Sequence, residues 1–295
     1  MTVRNTSKWA AAMTLGLVLV ACGGGSTAPA VTTTDTLKAA EPGDGLLKVG
    51  GKLFSIPSPV QTALLIRQLG LPYDKSLPMS PENPARFTTK EQRALAMGIY
   101  GADLAYVTIH KDGQQSLKVL KAIEQLSGEL NLTNAFDKDL VDNFKRNISN
   151  EDSLLRFTGK AFRAADMYLK NDQRSEVSAG VLAGGWIEGL YLTLGAADAK
   201  VNDKVAQRIA EQRHTLDNLI ALLKQNEISP ALVDSLQDLS AAYGAVKTAY
   251  TYAQPTLDAE HKTTYVNSVT KAEVSAEALQ TIIRKVRAIR SSIIA

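Results

Sequence analysis

Apolar residues recur at helical spacing along most of the chain. Val201, Val205, Ile209, Leu216, Leu219, Ile220 and Leu223 fall on one side of a helix over about 199–225. Leu279, Ile282, Ile283, Val286 and Ile289 do the same for a final helix over about 275–293. Helix starts are marked by chemistry as well as by period. Ser58-Pro59-Val60-Gln61 puts a cap, a proline and a Gln in capping order, with Gly70 and Pro72 as the stop. Thr88 with Glu91 reads as a second capping box, opening a helix that runs to about His110. Helices over about 114–130, 137–147, 150–170 and 174–194 follow, and Ser229-Pro230 opens one expected to continue to Pro255. Residues 71–87, rich in Pro, Ser and Asn, read as a long loop. Leu46–Val49 and Lys52–Phe54 flank Gly50-Gly51 and suit a small N-terminal β-hairpin, with an extended arm as the alternative. The β-branched stretch Thr263–Val274 reads as extended.

Two segments echo one another. Asp103-x-x-Tyr106-x-Thr108 matches Glu188-x-x-Tyr191-x-Thr193 at an offset of 85 residues, and Phe136–Asp142 matches Ile228–Asp234 at 92. The pattern predicts a mainly α, compact multi-helix domain over 46–295. It contains two pseudo-repeated helical units, about 58–148 and 150–254, and then the C-terminal helix. Two units are too few for an open solenoid.

Composition narrows the function classes. The chain has 33 basic and 30 acidic residues. Arg4 and Lys8 lie in the N-terminal segment, so the body is near neutral and gives no reason to expect nucleic acid. No apolar run in the body reads as long enough to span a membrane. His110, His214 and His261 fit no zinc spacing, and no P-loop, dinucleotide or nucleophile-elbow motif occurs. No metal or cofactor is therefore expected. A di-iron carboxylate site would need Glu-x-x-His, which is missing from the sequence.

The N-terminus has a positive start (Arg4, Lys8) and an apolar stretch from Trp9 to Val20, the length of a secretory h-region rather than of a bilayer span. It ends Leu19-Val20-Ala21-Cys22, which resembles the lipobox of bacterial lipoproteins, and Cys22 is the chain's one cysteine. The resemblance implies a signal peptide over 1–21, acylation of Cys22 and attachment to a membrane. Gly23, where an Asp would favour inner-membrane retention, implies a cell-envelope protein on the outer membrane facing the periplasm. Residues 22–45, rich in Gly, Ser, Thr, Ala and Pro, read as a flexible tether.

Within the body, Ala94, Gly98, Ala102 and Ala105 line one predicted helix, and Gly180, Gly184, Gly185 and Gly189 the other. Each interior Gly costs ~1 kcal/mol against Ala, so close approach of a second backbone or of a ligand is expected. Asp103 and Glu188 occupy equivalent positions, each three residues before a Tyr. Tyr100, Asp103, Tyr106, Trp186, Glu188 and Tyr191 are thus the candidate ligand-binding residues, with structural packing as the bland alternative for each. Arg284, Lys285, Arg287 and Arg290 read as a solvated basic face or a contact for anionic lipid. His110, near a helix end, reads as a dipole partner.

Phe54–Pro59, Tyr100–Tyr106 and Gly184–Gly189 resemble a group of uncharacterised helical lipoproteins from Bacteroidota, over most of residues 46–294. The resemblance carries no activity. The expectation is a non-enzymatic envelope lipoprotein that binds a protein partner or small ligand between the repeat helices. The alternative is a hydrolase or metal-dependent enzyme using Asp103 and Glu188.

Overall fold

The computed structural model describes residues 46–49, 52–55, 59–132, 138–147, 174–196, 203–258, 263–265 and 268–295, with residue 260 and a few positions between 156 and 168. All belong to the compact unit Glu41–Ala295. The signal-peptide, lipidation and tether expectations lie outside the described residues.

The architecture is mainly helical, as the periodicity predicts. The helices are α1 (Pro59–Gln68), α2 (Lys90–Ile109), α3 (Gly113–Glu129), α4 (Lys138–Arg146), α5 (Ser175–Ala196), α6 (Asp203–Gln225), α7 (Pro230–Tyr243) and α8 (Ala276–Ile294). The described positions between 156 and 168 are also helical. The repeat is visible in the helix starts. Lys90 and Ser175 open α2 and α5 at the same offset as Asp103 and Glu188, while Lys138 and Pro230 open α4 and α7 at the second offset.

α2 and α5 form the centre. Gly98 lies so close to α5 that an added Cβ would stand 2.0 Å from the Val181 carbonyl oxygen; at Gly184 it would stand 2.0 Å from that of Leu95. Gly180 meets Ala94. These contacts advance together along both helices, so α2 and α5 run side by side in the same direction. Equivalent positions of the two units thereby reach the same level. Around this pair, α1 covers one side, with Thr62 against Gly189. α3 packs on α2, and α6 and α8 pack on α5. α7 fills the space between α6 and α8. Tyr100, Leu126, Ile187, Leu219, Leu236 and Ile282 are among the fully buried core residues.

α5 corrects one expectation. Ser175–Gly195 is long and apolar enough to cross a membrane by composition, with a mean hydropathy of 1.3. However, 89% of its most apolar window is buried inside the helical body. A helix that is apolar all round is what a central position requires.

Two further differences have local causes. The N-cap of α2 is Thr89, one residue after the expected Thr88. The Thr89 hydroxyl accepts from the Gln92 backbone N–H (3.1 Å) and the Gln92 side chain accepts from the Thr89 N–H (3.1 Å). Gln92 thus closes the box instead of Glu91. The helix from Ser229 stops at Tyr243 rather than Pro255. Gly244 follows, and the β-branched and aromatic run from Val246 to Tyr252 turns to strand.

The small N-terminal hairpin is present. β1 (Leu46–Val49) pairs antiparallel with β2 (Lys52–Ser55), Val49 facing Lys52, and both strands lie near α6. A second antiparallel ribbon separates α7 from α8. β3 (Lys247–Thr251) pairs with β6 (Val269–Glu273), and β4 (Thr256–Asp258) with β5 (Thr263–Tyr265). The register slips by one residue between the two ladders, between Thr251 and Thr256. Ser268 bridges the break: its hydroxyl accepts from the Ala253 N–H (3.0 Å) and donates to the Ala253 carbonyl (3.1 Å). At the ribbon's base the Ala272 N–H donates to Gln207 Oε1 on α6 (2.8 Å). Beyond that anchor the ribbon is an arm with both faces in solvent.

Candidate functional site

The candidate residues converge, and the face they form is covered by the chain's own loop. Tyr100, Asp103, Tyr106 and His110 follow one another along one face of α2, and residues 71–87 lie across it as a strap. Each successive side chain holds the strap. The Tyr100 hydroxyl donates to the Ser80 carbonyl (2.8 Å), and Asp103 Oδ2 accepts from the Met79 N–H (3.0 Å). The Tyr106 hydroxyl accepts from the Asp74 N–H (2.9 Å). Tyr73 stacks on His110 at 4.7 Å between ring centroids and donates to Asp112 Oδ2 (2.9 Å). Leu77 fills the space that a Cβ on Gly195 of α5 would need. The polar loop thus satisfies its buried backbone groups with α2 side chains.

Asp103 and Glu188 meet at the same level of the central pair, as the repeat predicts, and both are 0% exposed. Glu188 is paired with Arg290 on α8. Its Nε donates to Glu188 Oε2 (2.8 Å) and one terminal nitrogen donates to Glu188 Oε1 (3.0 Å), a two-pronged ion pair. The same terminal nitrogen reaches the Leu77 carbonyl of the strap (3.2 Å). The guanidinium lies over the Tyr191 ring, 4.2 Å from its centroid. Asp103 Oδ1 is buried with no donor directed at it.

Burial, and then the neighbouring Glu188 carboxylate, hold the Asp103 carboxyl well above the ordinary carboxylate range. Burial pushes Glu188 up as well, against the guanidinium of Arg290 and the Asp103 carboxyl, which pull it back. Burial pushes the Tyr100 phenol up to about 12, and burial also raises Tyr73 and Tyr106, so all three are neutral donors or acceptors. Burial lowers His110. Its ring stacks on Tyr73 at the end of α2, and burial works against the charged form that a dipole partner would take.

Trp186 lies on the other side of α5, in the core, where its indole N–H donates to Gln212 Oε1 (3.0 Å). It is apart from the carboxylate pair. Sequence reasoning missed Arg290, which it assigned to the basic surface of the last helix. The signal was available. Leu279, Ile283, Val286, Arg290 and Ile293 share one stripe, so Arg290 falls on the buried face. Its neighbours do face outward: Arg284 donates to Thr281 Oγ1 and Lys285 pairs with Asp238. Among the described residues no group of three or more His, Cys, Asp or Glu is placed to hold a metal ion.

The result is a mainly helical domain closed around a buried acid–acid–arginine cluster. A scan of family models, a search of curated proteins and a search of solved structures each found no match.

Proposed function

We propose that the protein is a lipid-anchored cell-envelope protein, held at Cys22 and facing the periplasm from the outer membrane. In this reading it has no catalytic activity and binds a protein partner through the β-arm 247–273. The exposed arm carries this reading. Tyr250, Tyr252, Leu257 and Tyr265 are 66%, 69%, 72% and 51% exposed on a two-stranded ribbon. An isolated ribbon of this kind is marginal in water, and its strand edges and aromatics are the features protein partners use. The body supports the same reading from the other side. The carboxylates of the enzyme alternative are buried under the strap, Glu188 tied to Arg290 and Asp103 to the Met79 N–H. The anchor reading rests on Leu19-Val20-Ala21-Cys22 and on the tether composition that follows it.

The arm is tested with a photoreactive residue at Tyr252 of the full chain in its own membranes, and the same residue at exposed Lys121 on α3 as reference. One adduct of discrete mass at Tyr252, not formed at Lys121, is the expected result. Absence of any arm-specific adduct removes the arm as the interface. For the anchor, Cys22→Ser is expected to leave the precursor unprocessed or to move the protein to the soluble fraction. Normal cleavage with ordinary membrane retention overturns the lipid reading.

A further inference from the structure

We infer that the strap 71–87 is a proton-operated latch: one proton, held between the carboxyl groups of Asp103 and Glu188, keeps it closed on the helical face of α2. The first reason is a count of charge. The enclosed cluster contains two carboxyl groups and one guanidinium. Both Glu188 oxygens are taken by Arg290, which fixes Glu188 as the anion. A second anion beside it would be buried without a cation, which costs several kcal/mol. The second reason is the orphaned atom. Asp103 Oδ2 already accepts from the Met79 N–H, and no donor points at Oδ1. A proton on Asp103, donated toward Glu188, resolves both problems and makes the cluster neutral.

The cluster and the strap are one assembly. Asp103 holds Met79, Arg290 holds Leu77, and Tyr100 holds Ser80, so the strap between Leu77 and Ser80 is fastened by the residue that carries the proton and by two of its neighbours. The other ionisable groups around the strap are engaged elsewhere or exposed. Tyr100 and Tyr106 of α2 and Tyr73 of the strap are raised phenols, and the ring of Tyr191 from α5 lies under Arg290. At the α3 start Asp112 is engaged by Tyr73, Lys75 and the Gln115 N–H, and Arg67 of α1 is exposed. The sign follows from Asp103 being raised in the folded state. The contribution is complete below the ordinary carboxylate range, declines as the pH climbs from that range toward the raised value, and is gone above it. Loss of the proton places like charges side by side, and the strap gives way first because the helices beneath are held by the central glycine contacts.

The methionines supply the test. Met79 of the strap is 3% exposed, Met97 of the α2 core is 3% exposed, and Met167 is 63% exposed. Brief peroxide treatment of the full chain, read by mass spectrometry, reports each separately. Met79 oxidation is expected to rise by up to about tenfold per pH unit between the ordinary carboxylate range and the raised value of Asp103, and to level off above it. Met97 should stay protected and Met167 fast throughout. In Asp103→Asn, whose neutral amide can still serve Met79 and Glu188, Met79 should stay slow across the range. Simultaneous exposure of Met79 and Met97, a flat Met79 response in the wild type, or an unchanged response in Asp103→Asn overturns the latch. Should Asp103→Asn not fold, infrared spectroscopy of the wild type at neutral pH decides: a protonated carboxyl band is expected, and its absence overturns the proposal.

Discussion

Gly98→Ala is expected to destabilise the fold by about 3 kcal/mol or more, the upper end of overpacking effects, because the added methyl meets backbone rather than a movable side chain. A Cβ at Gly98 would stand 2.0 Å from Val181 O and 2.7 Å from Gly185 N. Neither atom can yield without parting α2 from α5 along their length. Gly184→Ala, against Leu95 O, should behave alike. Gly128 provides the internal control. It lies in α3 with nothing within 4 Å of a built Cβ, so Gly128→Ala should stabilise by up to about 1 kcal/mol through helix propensity alone. Chemical denaturation of the three variants measures both signs. Equal effects at Gly98 and Gly128 would mean that the central helices are not in backbone contact.

Arg290→Met is expected to cost about 3–5 kcal/mol, the range for stripping one partner from a buried ion pair. Methionine keeps most of the length and packing of the side chain. The loss therefore reports charge: Glu188 loses both of its donors, and the Leu77 carbonyl loses a third contact. Without the guanidinium, only the Asp103 carboxyl is left to oppose the burial that raises Glu188. The deficit should shrink as the pH falls and Glu188 takes up a proton, and grow as the pH rises. Combining Arg290→Met with Glu188→Leu should recover most of the stability, since no buried charge is left unmatched. Thermal melts across pH for the single and double variants check this. A double variant as unstable as the single one would place the loss in packing, not in charge.

Much of this fold was readable from the chain. Caps at Thr88–Thr89 and Ser229, breaks at Gly70 and Asp112-Gly113, and the apolar stripes of α6 and α8 are local signals, and local signals set helices. The Asp103/Glu188 echo marks the centre of the molecule, because a repeat brings equivalent residues together about the repeat axis. What the sequence withheld was non-local. Nothing in the composition of 71–87 says that it lies on Tyr100 and Asp103, since its buried Met79 and Phe87 follow no helical or strand period and its other fastenings are single hydrogen bonds. The β-arm was half read. Thr263–Val274 has β-branched residues, but Lys247–Thr251 carries no alternation of buried and exposed positions, because both of its faces are in water. Arg290 was misread because three neighbouring cations drew attention to charge when its position on the stripe was the informative fact.

The contact between Arg290 and the Leu77 carbonyl joins residues 213 apart in sequence, and the ion pair with Glu188 joins residues 102 apart. Loops of that size close late, so α2 and its companions can assemble well before the strap is fastened. The strap is then a cooperative unit of its own, weaker than the helices it crosses and the first to let go under stress. In hydrogen exchange the Leu77 and Met79 amides should therefore open with lower free energy than the Leu104 and Leu192 amides beneath them. The molecule would pass regularly through a state in which every helix is intact and the last fastening is undone.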